Sequence, residues 1–282
     1  MIIFHGNDRF AYRDPACCFV DNTCYLFFTL SEKDGDFLYN RLAMSRSTDL
    51  KNWSEPVLLT DRDLRTNYCS PGNVLRQGDD YVLCFTSYPM AFPLSERWTG
   101  DETARLFTMR TKDFVHFSQP QLLNPKGDLP QEALGRMIDP FIFEHDSRYY
   151  LFFKQNGVSL SISKDLVHWD YQGHTDGGEN ACVLRQDDEF LLIHSPQNGI
   201  AFSRSNDLLT WRPAGLTTLG QSNWPWSEDR ITAGFATEAP AWTGFRYVLF
   251  FHGSRRVFPE THGNATRGRV FTNDFETFAD SI

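Results

Sequence analysis

The chain repeats one phrase five times, and this repetition limits its fold more than any other feature. The clearest copy is Met137-Ile138-Asp139-Pro140-Phe141-Ile142-Phe143, then Tyr149-Tyr150-Leu151-Phe152-Phe153, then Ser163-Lys164-Asp165-Leu166-Val167-His168-Trp169. An acidic residue opens an apolar run, an aromatic-rich run follows, and a polar turn closes on Trp. The closing turn recurs as Asp49-Leu50 to Trp53, Asp113-Phe114 to Phe117, Asp165-Leu166 to Trp169, Asp207-Leu208 to Trp211 and Asp274-Phe275 to Phe278. Self-similarity at a period of about 40 to 70 residues marks stacked or radial repeats.

The middle runs recur as well: Cys24 to Leu30, Tyr81 to Ser87, Tyr149 to Lys154, Phe190 to Ser195 and Tyr247 to Gly253. They are short, aromatic or aliphatic, and bounded by Gly, Asp, Asn or Ser, which is the pattern of strands. No amphipathic helix of more than about two turns is legible, apart from a helical turn expected at Leu129 to Leu134. Five modules of about four strands predict an all-β, five-bladed propeller of four-stranded antiparallel blades around a channel. A two-sheet sandwich would not explain five copies of one phrase. The blades are expected at approximately 13–60, 68–124, 137–173, 178–219 and 235–282, with residues 1–12 as a lead-in. At 282 residues, a single propeller domain accounts for the whole chain. In each closing turn, Asp should cap the backbone and the aromatic should pack between blades.

A net charge of −9 argues against nucleic acid or an anionic membrane as partner. No run approaches the ~20 apolar residues of a membrane span. Met1-Ile2-Ile3-Phe4-His5 lacks the basic start of a signal peptide, so a soluble, cytoplasmic protein is expected. Cys17, Cys18, Cys24, Cys69, Cys84 and Cys182 form no CxxC pair. A zinc site is therefore not expected, and the thiols read as small buried hydrophobes.

Chemistry is expected where the modules open. The five openers are Asp14, Ser70, Asp139, Glu179 and Glu238, and a propeller brings the starts of its innermost strands together at one channel mouth. Several carboxylates held there should raise one another's pKa, the setting for paired acid and base chemistry. The openers also carry a resemblance. Arg13-Asp14-Pro15 followed by Cys24-Tyr25-Leu26-Phe27-Phe28 resembles the first blade of glycoside hydrolase family 43 and its propeller relatives (families 32, 117 and 130). Asp139-Pro140 with Tyr149-Tyr150-Leu151 is similar to that family's third-blade Asp motif. Glu179-Asn180-Ala181-Cys182-Val183 is similar to its fourth-blade Glu motif.

The resemblance implies an inverting glycosidase acting on an oligosaccharide of pentoses or related sugars, as an arabinofuranosidase or xylosidase does. It implies Asp14 as general base, Glu179 as general acid, and Asp139 as the group that orients Glu179 and keeps its pKa high. The family's fourth-blade tripeptide reads Glu-Gly-Pro, so Glu238-Ala239-Pro240 is a second candidate for the acid; blade order favours Glu179. The family's blade-five His motif is not found, and no cofactor or channel calcium is assigned. Trp98, Trp224 and Trp226 lie in expected loops and are candidates for stacking on sugar rings. Arg13 and Arg136 would pair with the opening acids or hold substrate hydroxyls. Ser70 and His252 complete the set of candidate substrate contacts, although His252 also reads as a structural histidine. Two other readings stay open. One is a family 130-like phosphorylase, from Arg230-Ile231-Thr232-Ala233-Gly234 and Phe251-His252-Gly253; the other is a sugar-binding propeller without catalysis.

Overall fold

The computed structural model describes residues 1–89, 92–93, 103–255 and 264–281. Its strands form five antiparallel sheets, the blades of a propeller. The first strand, β1 (Ile2–Phe4), is the outer strand of the last blade. Blade one is β2 (Phe10–Val20), β3 (Thr23–Asp34), β4 (Phe37–Ser47) and β5 (Val57–Leu58). Blade two is β6 (Asn67–Gln77), β7 (Asp80–Tyr88), β9 (Arg105–Thr111) and β10 (Gln121–Leu123). Between β7 and β9, the short β8 (Phe92–Pro93) crosses to pair with β4. Blade three is β11 (Ile138–His145), β12 (Arg148–Lys154), β13 (Val158–Ser163) and β14 (Trp169–Thr175). Blade four is β15 (Glu179–Gln186), β16 (Glu189–Ser195), β17 (Ile200–Ser205) and β18 (Arg212–Thr217). Blade five is β19 (Arg230–Glu238), β20 (Tyr247–Ser254) and β21 (Thr266–Thr272), closed by β1.

Each second strand is apolar on both faces because a neighbouring blade covers each side. Phe27, Phe85, Phe152, Leu192 and Phe250 are all fully buried there. The closing turns follow from local chemistry. In each, the Asp carboxylate accepts two backbone N–H groups, as Asp165 does from Val167 and His168 at 2.9 and 2.8 Å. The next residue turns left-handed: Leu50, Phe114, Leu166, Leu208 and Phe275 have φ between 56° and 65°. The aromatic then reaches the preceding blade. Trp53 meets Phe250, Phe117 meets Phe27 and Trp211 meets Phe152, all edge-on. The turn expected near Leu129–Leu134 is a single 3-10 turn at Gln131–Ala133.

Blade five differs from the expectation at both ends. It begins at Arg230, five residues before Phe235, and residues 2–4 belong to it. A three-residue strand carries no turn signal of its own, so β1 reads as a lead-in. Its pairing with β21 ties the first and last parts of the ring together.

The innermost strands β2, β6, β11, β15 and β19 ring the channel. They approach closely where Gly72 faces Pro140: a Cβ on Gly72 would lie 1.3 Å from the Pro140 carbonyl oxygen. Gly72→Ala should therefore push blades two and three apart and cost ~3 kcal/mol or more, read as a lowered melting midpoint. A variant melting like wild type would show that the two strands can separate freely.

Candidate active site

Every inner strand breaks register at the same level. The ladder skips between Arg13 and Ala16, Cys69 and Asn73, Ile138 and Phe141, Glu179 and Cys182, and Thr232 and Phe235. One residue in each break takes a left-handed backbone: Asp14, Ser70, Asp139, Asn180 and Ala233, with φ from 46° to 55°. Such a conformation costs of order 1–3 kcal/mol and persists only where its surroundings hold it. Pro15, Pro71 and Pro140 follow the first three, which fits, because a bulge spares the ladder the missing proline N–H.

The holding bonds come from the preceding blade. Ser70 N–H donates to Thr29 Oγ1 at 2.7 Å, Asp139 N–H to Thr86 Oγ1 at 2.9 Å, and Ala233 N–H to Ser195 Oγ at 2.7 Å. Asp14 N–H donates to His252 Nδ1 at 3.1 Å, which leaves the ring proton on Nε2 when His252 is neutral. The four acceptors share one register on the second strands. In blade three that register holds Lys154, which can only donate, and it does so to the Gly177 carbonyl at 3.2 Å. Asn180 N–H turns instead to Asp139 Oδ2 at 3.2 Å, which fastens the third-blade carboxyl to blade four.

Three of the five expected openers thus occupy equivalent bulge positions: Asp14, Ser70 and Asp139. Glu179 stands one residue ahead of its bulge, at the register of Arg13, and is half-buried at the same mouth. Glu238 does not open blade five. It is exposed at the far end of β19 and lines the opposite funnel, an open space of about 680 Å³, with Arg185 and Tyr247. Between the two mouths the bulges close the channel to a cavity of about 10 Å³ beside Gly72, Pro140 and Gly234.

Asp14 is buried, and its Oδ2 accepts from the Thr29 hydroxyl at 2.9 Å and the Ser70 hydroxyl at 3.3 Å. The Ser70 hydroxyl is also within reach of the Asp139 carboxyl, so one side chain stands between two acids. Burial raises the Asp139 pKa to about 7, and the charges of Glu179 and Asp14 push in the same direction. Arg136 donates to the Tyr88 hydroxyl at 3.1 Å, and its charge reaches Asp139 and Glu179. Arg230 lies in the field of all three acids and of Arg13.

The tryptophans divide. Trp98 lies outside the described residues. Trp224 and Trp226 pack against each other and on Phe251, with ring centroids 5.3 and 5.8 Å apart, and Trp226 also fills the space left by Gly253 and Gly268. All six cysteines are free; burial pushes the Cys84 and Cys182 thiols up to about 12. Among the described residues, no group of three or more His, Cys, Asp or Glu could hold a metal ion. No helix among them is long and apolar enough to cross a membrane.

A family model matches the chain. The glycosyl hydrolase 43-related model, described as "Probable glycosyl hydrolase domain", matches residues 38–192, more than half of the chain. The chain belongs to this family of glycosyl hydrolases. No curated protein sequence matches the hydrolase. Its fold is that of an exo-1,5-α-L-arabinanase from a bovine ruminal metagenomic library, at TM-score 0.65 and 13% identity over 95% of this chain and 96% of that one. It is also that of a family 117 glycoside hydrolase from Zobellia galactanivorans, at TM-score 0.67 and 14% identity over 95% and 88%. A β-xylosidase superposes at TM-score 0.64 and 11% identity over 99% and 97%.

Thr29, Thr86 and Ser195 were not singled out as site residues from sequence, and Arg230 was named only within the run that resembles family 130 phosphorylases. A signal for three of them exists: Thr29, Thr86 and Ser195 are the polar residues that end otherwise apolar second-strand runs.

The Asp139 environment has a consequence for stability. Its pKa is higher folded than unfolded, so the hydrolase binds an extra proton when folded and loses stability as pH rises from about 4 to about 7. The linkage is on the order of 4 kcal/mol at most. Asp139→Asn keeps an acceptor for Asn180 N–H but removes the titration. Thermal melts should show the variant gaining on wild type across that window and running parallel above it. Parallel curves throughout would mean Asp139 is ionised as easily folded as unfolded.

Proposed function

We propose that the hydrolase cleaves a glycosidic bond in an oligosaccharide of pentoses or related sugars, with inversion at the anomeric carbon. The observation that carries this reading is the convergence of acids from blades one, three and four. Ser70 touches Asp14 and reaches Asp139, and Asp139 feels the charge of Glu179. Asp14 takes a proton from water as the water oxygen attacks the anomeric carbon. Glu179 gives a proton to the glycosidic oxygen as the bond to carbon breaks. Asp139, held to blade four through Asn180, orients the acid side of the site. The exo-arabinanase and the β-xylosidase of the same fold support a pentose, of the arabinofuranoside or xyloside kind.

Inversion requires room for a water, with acid and base carboxyls ~6.5–9.5 Å apart instead of about 5–5.5 Å. Placement of Asp14 and Glu179 on blades one and four, with Asp139 and Ser70 between, supports the wider spacing. The test is a panel of aryl arabinofuranosides and xylosides, with proton NMR of the sugar at the moment of release. Release of the opposite anomer is the expected result. Retention would remove Asp14 from the role of base, and turnover only with added phosphate would make the protein a phosphorylase. Binding without any turnover would make it a sugar-binding propeller.

A further inference from the structure

Two arginines share the corner where blades five and one meet. Arg13 immediately precedes Asp14. Arg230 opens β19 two residues before Thr232, whose cross-strand partner is His252, and His252 takes the Asp14 N–H. Neither guanidinium has an ion-pair partner among the described residues. The Arg230 Nε is buried without a hydrogen bond, and among the described residues the side chain makes one hydrogen bond, a long 3.5 Å one from Nη2 to Thr232 Oγ1. Glu32, by contrast, takes Arg9 at 2.8 Å and Arg41 at 2.6 Å, while the fully buried Arg267 and Arg269 also keep guanidinium nitrogens without hydrogen bonds. A third guanidinium, that of the fully buried Arg267, donates to the Arg13 carbonyl from beneath.

The charges at this corner oppose one another. Burial lowers the Arg230 pKa most, and the positive charge of Arg13 lowers it further, against attraction from Glu179, Asp14 and Asp139. Those carboxylates act on Arg230 without ion-pairing to it. A guanidinium presents a rigid fork of donors matched to two oxygens of one anion. Two half-buried forks with donors unspent have that complement missing.

We propose that Arg13 and Arg230 bind an oxyanion in the substrate site, either a carboxylate, sulfate or phosphate group on the sugar or free inorganic phosphate. In the first form the inference rests on the glycosidase reading and names its substrate class, an acidic sugar. In the second, a phosphate oxygen replaces water at the anomeric carbon. The glycosidic bond breaks, a proton goes to the leaving oxygen, and a glycosyl phosphate is formed.

The test separates binding from turnover. Inorganic phosphate and sulfate are titrated into the full chain by calorimetry, against chloride at equal ionic strength. Both oxyanions should bind, chloride should not, and Arg13→Gln and Arg230→Gln should each weaken binding at least tenfold. Arg230→Lys keeps the charge and loses the fork, so it should fall between. Oxyanions binding no better than chloride overturn the proposal, and this arm needs no variant to fold. Equal binding by wild type and both Gln variants overturns it as well. The source is then read from turnover. A preference for a uronoside over the matching neutral glycoside, lost in Arg230→Gln, assigns the anion to the sugar. Acceleration by phosphate assigns it to the second substrate. If the hydrolase cleaves no glycoside yet binds phosphate through these residues, the glycosidase reading fails and the oxyanion site stands.

Discussion

Asp14→Asn should lower turnover by ~10²–10⁴ while leaving substrate affinity nearly intact. The substitution keeps shape and volume and removes only the ability to accept a proton. The Asn oxygen can still accept from the Thr29 hydroxyl, which bonds Asp14 Oδ2 at 2.9 Å, and from Ser70. The backbone N–H still meets His252, so the left-handed bulge stays held. The loss should therefore appear in kcat, with the dissociation constant of a substrate-like inhibitor unchanged. Unchanged kcat would take the base away from blade one. A collapse of affinity and stability together would instead make Asp14 a structural residue that anchors Thr29 and Ser70.

Glu179→Gln should show an effect graded by the leaving group. Natural linkages and poorly activated aryl glycosides need their departing oxygen protonated, so their turnover should fall by ~10²–10⁴. Activated aryl glycosides leave without that help and should fall far less. A plot of log kcat against leaving-group pKa should be shallow for wild type and steep for the variant. Glu238→Gln is the control, because Glu238 is exposed at the opposite mouth, beyond the narrow point at Gly72 and Pro140. It should leave the plot unchanged. A steep dependence in Glu238→Gln and none in Glu179→Gln would move the acid to blade five.

These two experiments address different parts of one arrangement. Asp14 is held from blade one by Thr29 and from blade two by Ser70, while Asp139 is held by Thr86 and in turn holds Asn180 beside Glu179. A change at Thr29 would thus reach Asp14 directly, through the hydroxyl bond to its carboxylate, and a change at Thr86 would reach Asp139 through its strained bulge.

Blade number and strand content were legible in the sequence because both rest on short-range physics. An Asp two residues after Ser or Thr closes its own turn by hydrogen bonds within three residues, as Asp49, Asp113, Asp165, Asp207 and Asp274 do. Asp14, Ser70 and Asp139 were legible as module openers, each followed by a proline, but their bulges were not read from the sequence. Blades four and five have Asn180-Ala181 and Ala233-Gly234 there, with no proline to mark the break. Glu238-Ala239-Pro240 imitates an opener in sequence, yet lies at the other end of its strand. Which acids face one mouth was therefore decided by tertiary structure, since the strained N–H at each break is held by a group on a neighbouring blade, distant in the chain. The same holds for Arg230 beside Arg13, more than 200 residues apart in sequence, and for Trp224 and Trp226, which fold onto Phe251 and two glycines. Local hydrogen bonds and side-chain size wrote the repeat; the closure of the ring placed the charges.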